Sequence, residues 1–440
     1  MHWIPLVMAG CLASGLGAQE AAPARPLALS LSSAVALALE QNPSLAAMRE
    51  ELPAALARLQ MARAEGRLTA SANTYLSTGT MPSTMPSSAG VMPRMYMGVP
   101  DTSRVDQNLM FMYPLSTGGR VGSRARAAAA DRQATERDLE SMVLDVAYAA
   151  RAAYWLALYR ADLVGVQEGN VSAQSERLRV DQAKYDAGKI PLFYVLRDKA
   201  ELADAEQELT HARRDVETAL LDLRSALGLR MAEPVELTDQ LLYDPAAAEQ
   251  DAEQLAAAAL TSRPEALALR ARTEAARREV AVRRASYRPQ VDAMLMLDAE
   301  KASGMGVEGG YTIGIVGSLP LLDGGDRKAG VAEAEAMVRK LEQEQRALGL
   351  RIERELHGAL LDLAAANQNV RTALEAEAAA EEDHRVAKVG YDAGKLINLE
   401  IIAALASLVK AGTNVAEAKY AYNLAGDAVQ RAVGALPAVR

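Results

Sequence analysis

The sequence predicts a mainly α fold with a small β part, written twice along the chain. Composition is the first observation: half of the 440 residues are hydrophobic, yet only 4% are aromatic, and Phe occurs only at Phe111 and Phe193. A chain poor in large aromatic side chains and rich in Ala, Glu, Arg and Leu has the make-up of long packed helices. The second observation is the pentapeptide YDAGK, present at 185–189 and again 206 residues later at 391–395. The third is that the stretches leading into both copies, 120–184 and 326–390, contain no Pro.

The 206-residue offset is not confined to YDAGK. "YPLSTGG" at 113–119 matches "LPLLDGG" at 319–325, so Pro114 pairs with Pro320, and Gly118-Gly119 with Gly324-Gly325. Landmarks sharing one offset are the mark of internal duplication. Upstream the offset becomes 221, pairing Pro43 with Pro264, so the first copy holds 15 additional residues. They fall within 81–103, a stretch rich in Pro, Ser and Met that reads as a loop.

Each copy opens with an amphipathic helix, 31–66 and 250–285. Two strands follow. Over 289–300, Val291, Ala293, Leu295 and Leu297 alternate with Asp292, Met294, Met296 and Asp298. Over 311–322, Tyr311, Ile313, Ile315, Leu319 and Leu321 share a face opposite Thr312, Gly314 and Ser318. In the first copy Val105, Leu109, Phe111 and Tyr113 face away from Asp106 and Asn108, and a weaker partner strand lies near 68–80. Such alternation describes a half-buried strand, or a barrel strand with one side to lipid. The Gly-Gly turns then launch rods over 120–184 and 326–390. In the second, Leu341, Leu348, Ile352, Leu356, Leu360, Leu363, Val370 and Leu374 form a stripe spaced as a coiled-coil seam. Some 65 residues at a 1.5 Å rise make a rod of about 97 Å. YDAGK ends each rod, with Gly188 and Gly394 suited to a left-handed cap. Returning helices over 192–228 and 397–434 complete two antiparallel hairpins.

The organisation is therefore a signal segment 1–18, an extension 19–30, repeats over 31–228 and 250–434, a linker 229–249 and a tail 435–440. The apolar run from Trp3 to Leu16 is too short to span a bilayer. Cleavage after Ala18 and lipoprotein processing at Cys11, in "VMAGC", both fit. Only a closed barrel would let the mature chain span a membrane. Cys11 is the single Cys, so no disulfide forms within the chain, and no Cys-His metal site is available. The net charge of −9 argues against nucleic-acid binding. No nucleophile elbow, phosphate loop or zinc spacing marks an enzyme, and no cofactor is implied.

This ordered set resembles the TolC-type outer-membrane efflux duct family. The likeness rests on Ala38-Leu39…Asn42-Pro43, on "YPL…GG" at 113–119, and on the Y-x-x-G turns Tyr185…Gly188 and Tyr391…Gly394. It spans essentially the whole mature chain. The resemblance implies a homotrimer in the outer membrane, with four strands per protomer in a twelve-stranded barrel and helices forming a periplasmic tunnel. It implies a periplasmic adaptor docked at the tips (Tyr185, Asp186, Gly188, Lys189, Tyr391, Asp392, Gly394, Lys395) and an inner-membrane pump delivering substrate. Gly118, Gly119, Gly324 and Gly325 would turn the chain from barrel to tunnel. In the family, acidic residues six and nine places after the second tip glycine narrow the mouth. Here those positions hold Glu400 and Ala403, which leaves Glu400 as the gate residue. The interfacial aromatics are thin: Tyr75, Phe111, Tyr113 and Tyr311.

Met81, Met85, Met92, Met95 and Met97 crowd the loop that the second copy lacks. Thioethers are soft donors suited to Cu(I) and Ag(I), so this loop is a candidate metal site; the plain alternative is a tolerated low-complexity insert. The rival to a duct is a soluble periplasmic coiled-coil scaffold or adaptor, which would not need two hairpins and paired alternating strands.

Overall fold

The structure, a computed structural model, describes residues 27–79, 102–244, 252–302 and 306–435. Cys11 and the loop methionines Met81, Met85, Met92, Met95 and Met97 lie outside the described residues.

The first predicted helix is two. Ser30 caps α1 (Leu31–Gln41): its hydroxyl accepts from Ser33 N, while Ser30 N donates to Ser33 Oγ at 2.8 Å. Pro43 cannot supply an N–H to α1 and disfavours helical backbone at the residue before it. Asn42 turns that break into a cap for α2 (Pro43–Ala64), accepting from Ser44 N at 2.9 Å and Leu45 N at 3.2 Å. The second copy breaks likewise at Arg263-Pro264, between α5 (Ala252–Ser262) and α6 (Pro264–Ala285).

The rods are longer than the periodicity suggested. α3 (Arg120–Asp186) and α7 (Asp326–Asp392) each run 67 residues, about 100 Å at the α-helical rise. They return as α4 (Leu192–Leu227) and α8 (Asn398–Val433), 36 residues each. α3 packs on α4, α7 on α8, and α3 also meets α8, so the hairpins lie side by side. Along the predicted α7 stripe Leu341, Ile352, Leu356, Leu363 and Val370 are buried, while Leu374 is exposed.

Four antiparallel strands form one sheet in the order β2 (Thr69–Gly79), β3 (Thr102–Ser116), β5 (Gln290–Ala302), β6 (Val307–Ser318). The join between copies is the β3–β5 ladder, with Leu109 opposite Leu297 and Phe111 opposite Leu295. β6 ends at Ser318, so Leu319 and Leu321 fall beyond the strand.

Two short strands had no sequence signal. β1 (Leu27–Leu29) pairs in parallel with β4 (Val235–Leu237), fastening the start of the chain to the segment between the copies. Below them sits a core of Leu45, Tyr154, Trp155, Leu223 and Leu227. Tyr154 is fully buried and its hydroxyl lies 2.9 Å from Leu29 O and 3.0 Å from Asp239 Oδ2. Burial and the Asp239 carboxylate push the Tyr154 phenol up to about 12. The copies are locked at this level by Asp427 on α8, which accepts from Arg151 Nη2 at 2.6 Å and Trp155 Nε1 at 2.7 Å.

Candidate functional site at the hairpin tips

Both YDAGK turns fold alike. α3 stops at Asp186 because Gly188 takes φ +72, letting Lys189 N reach back to Lys184 O at 2.8 Å and Gly188 N to Tyr185 O at 2.8 Å. In the second copy Gly394 takes φ +69, Lys395 N reaches Gly390 O at 2.9 Å and Gly394 N reaches Tyr391 O at 3.0 Å. These are Schellman closures, which satisfy carbonyls that a helix end otherwise leaves open. Neither glycine would crowd a neighbour if given a Cβ, so positive φ alone selects glycine there. Asp186, Lys189, Asp392 and Lys395 are exposed at the turns.

The two tyrosines are not equivalent. Tyr185 stays exposed, whereas the Tyr391 hydroxyl turns inward, 2.8 Å from Oδ1 and 2.6 Å from Oδ2 of Asp181 on the other hairpin. Asp181 is fully buried and also accepts from Asn398 Nδ2 at 3.0 Å. That amide lies 3.3 Å from Asp198 Oδ1, which receives Arg177 Nε at 3.0 Å. Lys184 sits 3.7 Å from Asp181 and 3.8 Å from Asp392, with its ammonium 4.0 Å above the Tyr391 ring. Burial pushes the Asp198 carboxyl above its ordinary range, against the opposing pull of Arg177. Burial, followed by the hydrogen bond to Asp181, pushes the Tyr391 phenol well up, so the hydroxyl keeps its proton and stands as a hydrogen-bond donor to Asp181. Taking one partner from such a buried ion pair costs about 3–5 kcal/mol, because the other charge stays desolvated.

Sequence reading missed this network, although the repeat carries a trace of it. At the 206-residue offset Asp181 matches Ala387 and Asp198 matches Ala404, both buried alanines. Charges in one copy at positions that are core alanine in the other mark a contact specific to one interface. Beside it lies a cavity of about 140 Å³ lined in part by Arg177, His384, Lys388 and Tyr391.

Glu400 lies at the third position of α8, exposed, with Oε2 accepting from Ile397 N at 3.1 Å. It therefore caps its own helix, and its charge favours the helix N-terminus.

The glycine pairs stand at the opposite end of the rods. Gly119 (φ +91) and Gly325 (φ +96) precede the first residues of α3 and α7. In the second turn Asp323 pairs with the Arg327 guanidinium and accepts from Arg327 N and Gly325 N at 3.1 Å each, and the guanidinium first, then these N–H groups, hold its carboxyl below the usual range.

Above them, the sheet has two unlike faces. One carries the rows Leu109–Leu297–Tyr311, Phe111–Leu295–Ile313 and Tyr113–Ala293–Ile315. Tyr311, Ile313 and Ile315 are 75%, 73% and 71% exposed, a contiguous apolar row of the kind that marks a partner or membrane surface. The other face carries Asn73, Asp106, Asn108, Asp298 and Glu300. Tyr75, grouped from the sequence with the interfacial aromatics, lies opposite Asp106 on this polar face, apart from Phe111, Tyr113 and Tyr311 on the apolar one.

The family described as outer membrane efflux protein matches residues 34–229 and 255–435, both repeats almost in full. The chain belongs to that family. Among relatives of this efflux-family chain, the outer membrane efflux protein BepC of Brucella suis biovar 1 is 24% identical over 330 residues, covering 72% of this chain and 69% of BepC. The outer membrane protein VceC of Vibrio cholerae superposes with a TM-score of 0.77 at 19% identity, covering 92% of this chain and 96% of that one. The CmeC outer membrane channel of Campylobacter jejuni gives 0.78 at 17% identity, covering 92% and 85%. At such identities the structural likeness concerns the fold, while the family match carries the assignment to outer-membrane efflux. The protein is an outer-membrane one of the Gram-negative envelope, with its helical rods on the periplasmic side.

Proposed function

We propose that this chain is the protomer of a homotrimeric exit duct, through which substrates handed over by an inner-membrane pump and a periplasmic adaptor leave the cell. One observation carries the reading: the four-stranded sheet ends in two edge strands, β2 and β6, with no further strand beside either among the described residues, and one sheet face is apolar and exposed. An open edge in lipid strands backbone donors and acceptors at several kcal/mol each. Three copies joined β6 to β2 make a closed twelve-stranded barrel, with the apolar rows toward lipid and the polar face toward the lumen. The rods, extended by about 100 Å, then surround a common axis in the periplasm.

In this duct the tips at Tyr185, Asp186, Gly188, Lys189, Tyr391, Asp392, Gly394 and Lys395 are the adaptor's docking surface. The exposed Asp and Lys side chains are not needed to close the turns, and their repetition supports a recognition role. Three Glu400 carboxylates around the axis form the aperture ring and favour cations. The test is extraction followed by reconstitution. The protein stays in the membrane pellet after carbonate washing and conducts in planar bilayers; release by carbonate and absence of conductance would overturn the duct.

A further inference from the structure

The lumen face of the sheet holds a feature that duct function does not call for. Met110 on β3 lies directly opposite Met296 on β5, and Met112 directly opposite Met294. Both pairs share the face of Asn108 and Asp298, the side assigned above to the lumen. The outer strands add only small groups to these rows: Ser71 and Thr69 from β2, Thr312 and Gly314 from β6. Paired positions on adjacent strands put Cβ atoms about 5 Å apart, and alternate positions along a strand lie about 7 Å apart. Four thioethers on three-bond flexible arms thus sit within reach of one point. Met294 is 8% exposed, and Met110, Met112 and Met296 are half-buried.

A barrel interior wetted by solvent is normally polar. Bulk alone does not explain methionine at four neighbouring positions, since Leu or Ile would supply it with stiffer side chains. What thioethers add is a soft, uncharged donor that Na⁺, Mg²⁺ and Ca²⁺ ignore and Ag(I) and Cu(I) do not. We infer that Met110, Met112, Met294 and Met296 form a binding site for soft monovalent metal ions, one in each protomer, lining the exit path through the barrel. The site rests on the lumen assignment of the proposed duct. It lies wholly within two paired strands of one chain and needs no residue from a neighbouring copy. Thioether ligation adds no charge and four neutral soft donors hold the ion without trapping it in an anionic cage, so the site suits transit rather than storage.

The test uses full-length trimer in detergent, first shown to conduct in planar bilayers, with any thiol blocked by N-ethylmaleimide. It is dialysed against micromolar silver nitrate in chloride-free buffer containing excess Mg²⁺ as a competitor for carboxylates, and bound silver is measured by mass spectrometry. The inference predicts about one Ag(I) per protomer, lost in the quadruple variant Met110→Leu, Met112→Leu, Met294→Leu, Met296→Leu. A variant with Met81, Met85, Met92, Met95 and Met97 all changed to Leu keeps that silver. Leu nearly conserves methionine volume. Should the quadruple variant fail to assemble, the paired variants Met110→Leu/Met296→Leu and Met112→Leu/Met294→Leu each weaken silver binding tenfold or more. A conducting wild-type trimer that binds no silver, binding unchanged by the strand substitutions, or binding that vanishes with the loop substitutions would overturn this site alone. Failure of the wild type to form a conducting trimer would overturn the duct and the site together.

Discussion

The Tyr391 hydroxyl lies 2.6 Å from Asp181 Oδ2, so the last turn of one rod is tied to the penultimate turn of the other. Tyr391→Phe keeps the ring and the cation–π contact with Lys184 and removes only this tie. A buried acceptor that loses a donor costs about 1–3 kcal/mol. Amide hydrogen exchange in the last turns of α3 and α7 should therefore accelerate by about tenfold or more, with the sheet unaffected. Unchanged exchange at the tips would mean that the network does not hold the hairpins together.

His384 lines the tip cavity beside Lys388 and Arg177, and burial, then Lys388, holds its imidazole below the ordinary value of 6.5. The folded tip therefore disfavours the proton that the unfolded chain accepts. The stability attributable to His384 is present above pH 6.5 and is lost as the pH falls through that value toward the lower folded one. Tip opening by hydrogen exchange should rise from pH 7.5 to 5.5, and the rise should be smaller in His384→Gln. Equal pH dependence in both proteins would refute this assignment.

Glu400 has two separable duties. Glu400→Gln keeps an oxygen acceptor for Ile397 N and removes the charge, whereas Glu400→Ala removes both. If three carboxylates line the aperture, both variants lose cation preference in bilayer reversal potentials, and only Glu400→Ala also frays the start of α8. Identical reversal potentials across wild type and variants would dismiss the ring.

Two positive-φ glycines should respond very differently. Gly394 (φ +69) has open space around a built Cβ, so Gly394→Ala bears only the left-handed strain of about 1–2 kcal/mol. At Gly228 (φ +77) a Cβ would fall 2.5 Å from Gln41 O, against the α1–α2 break. Gly228→Ala should lower the unfolding midpoint severalfold more than Gly394→Ala. Similar midpoints would contradict the packing of α1 against the end of α4.

Much of this molecule is legible in its sequence because duplication repeats each signal. A single Gly-Gly or Y-x-x-G says little, but at one offset they fix the ends of both rods. Strand faces follow from strict alternation, as in Val291 to Asp298. The three-residue strands at Leu27 and Val235 are too short to carry a period, and Asn42-Pro43 reads equally as a helix start or a break. The Arg177–Asp198–Asn398–Asp181–Tyr391 network is hidden for another reason. Its members come from four helices, and along each helix they occupy positions that periodicity assigns to core. The methionine rows are visible as alternating residues on β5, but only the β3–β5 register shows that they meet.

The central claim is that one copy of this chain leaves its sheet edges unpaired and that three copies pair them. Light scattering on the detergent-solubilised protein, with the detergent mass subtracted, measures this directly. The account predicts a particle of three chains of up to 46.9 kDa each that survives dilution and aggregates when detergent is withdrawn. A particle of one chain's mass that stays dispersed in plain buffer would contradict it.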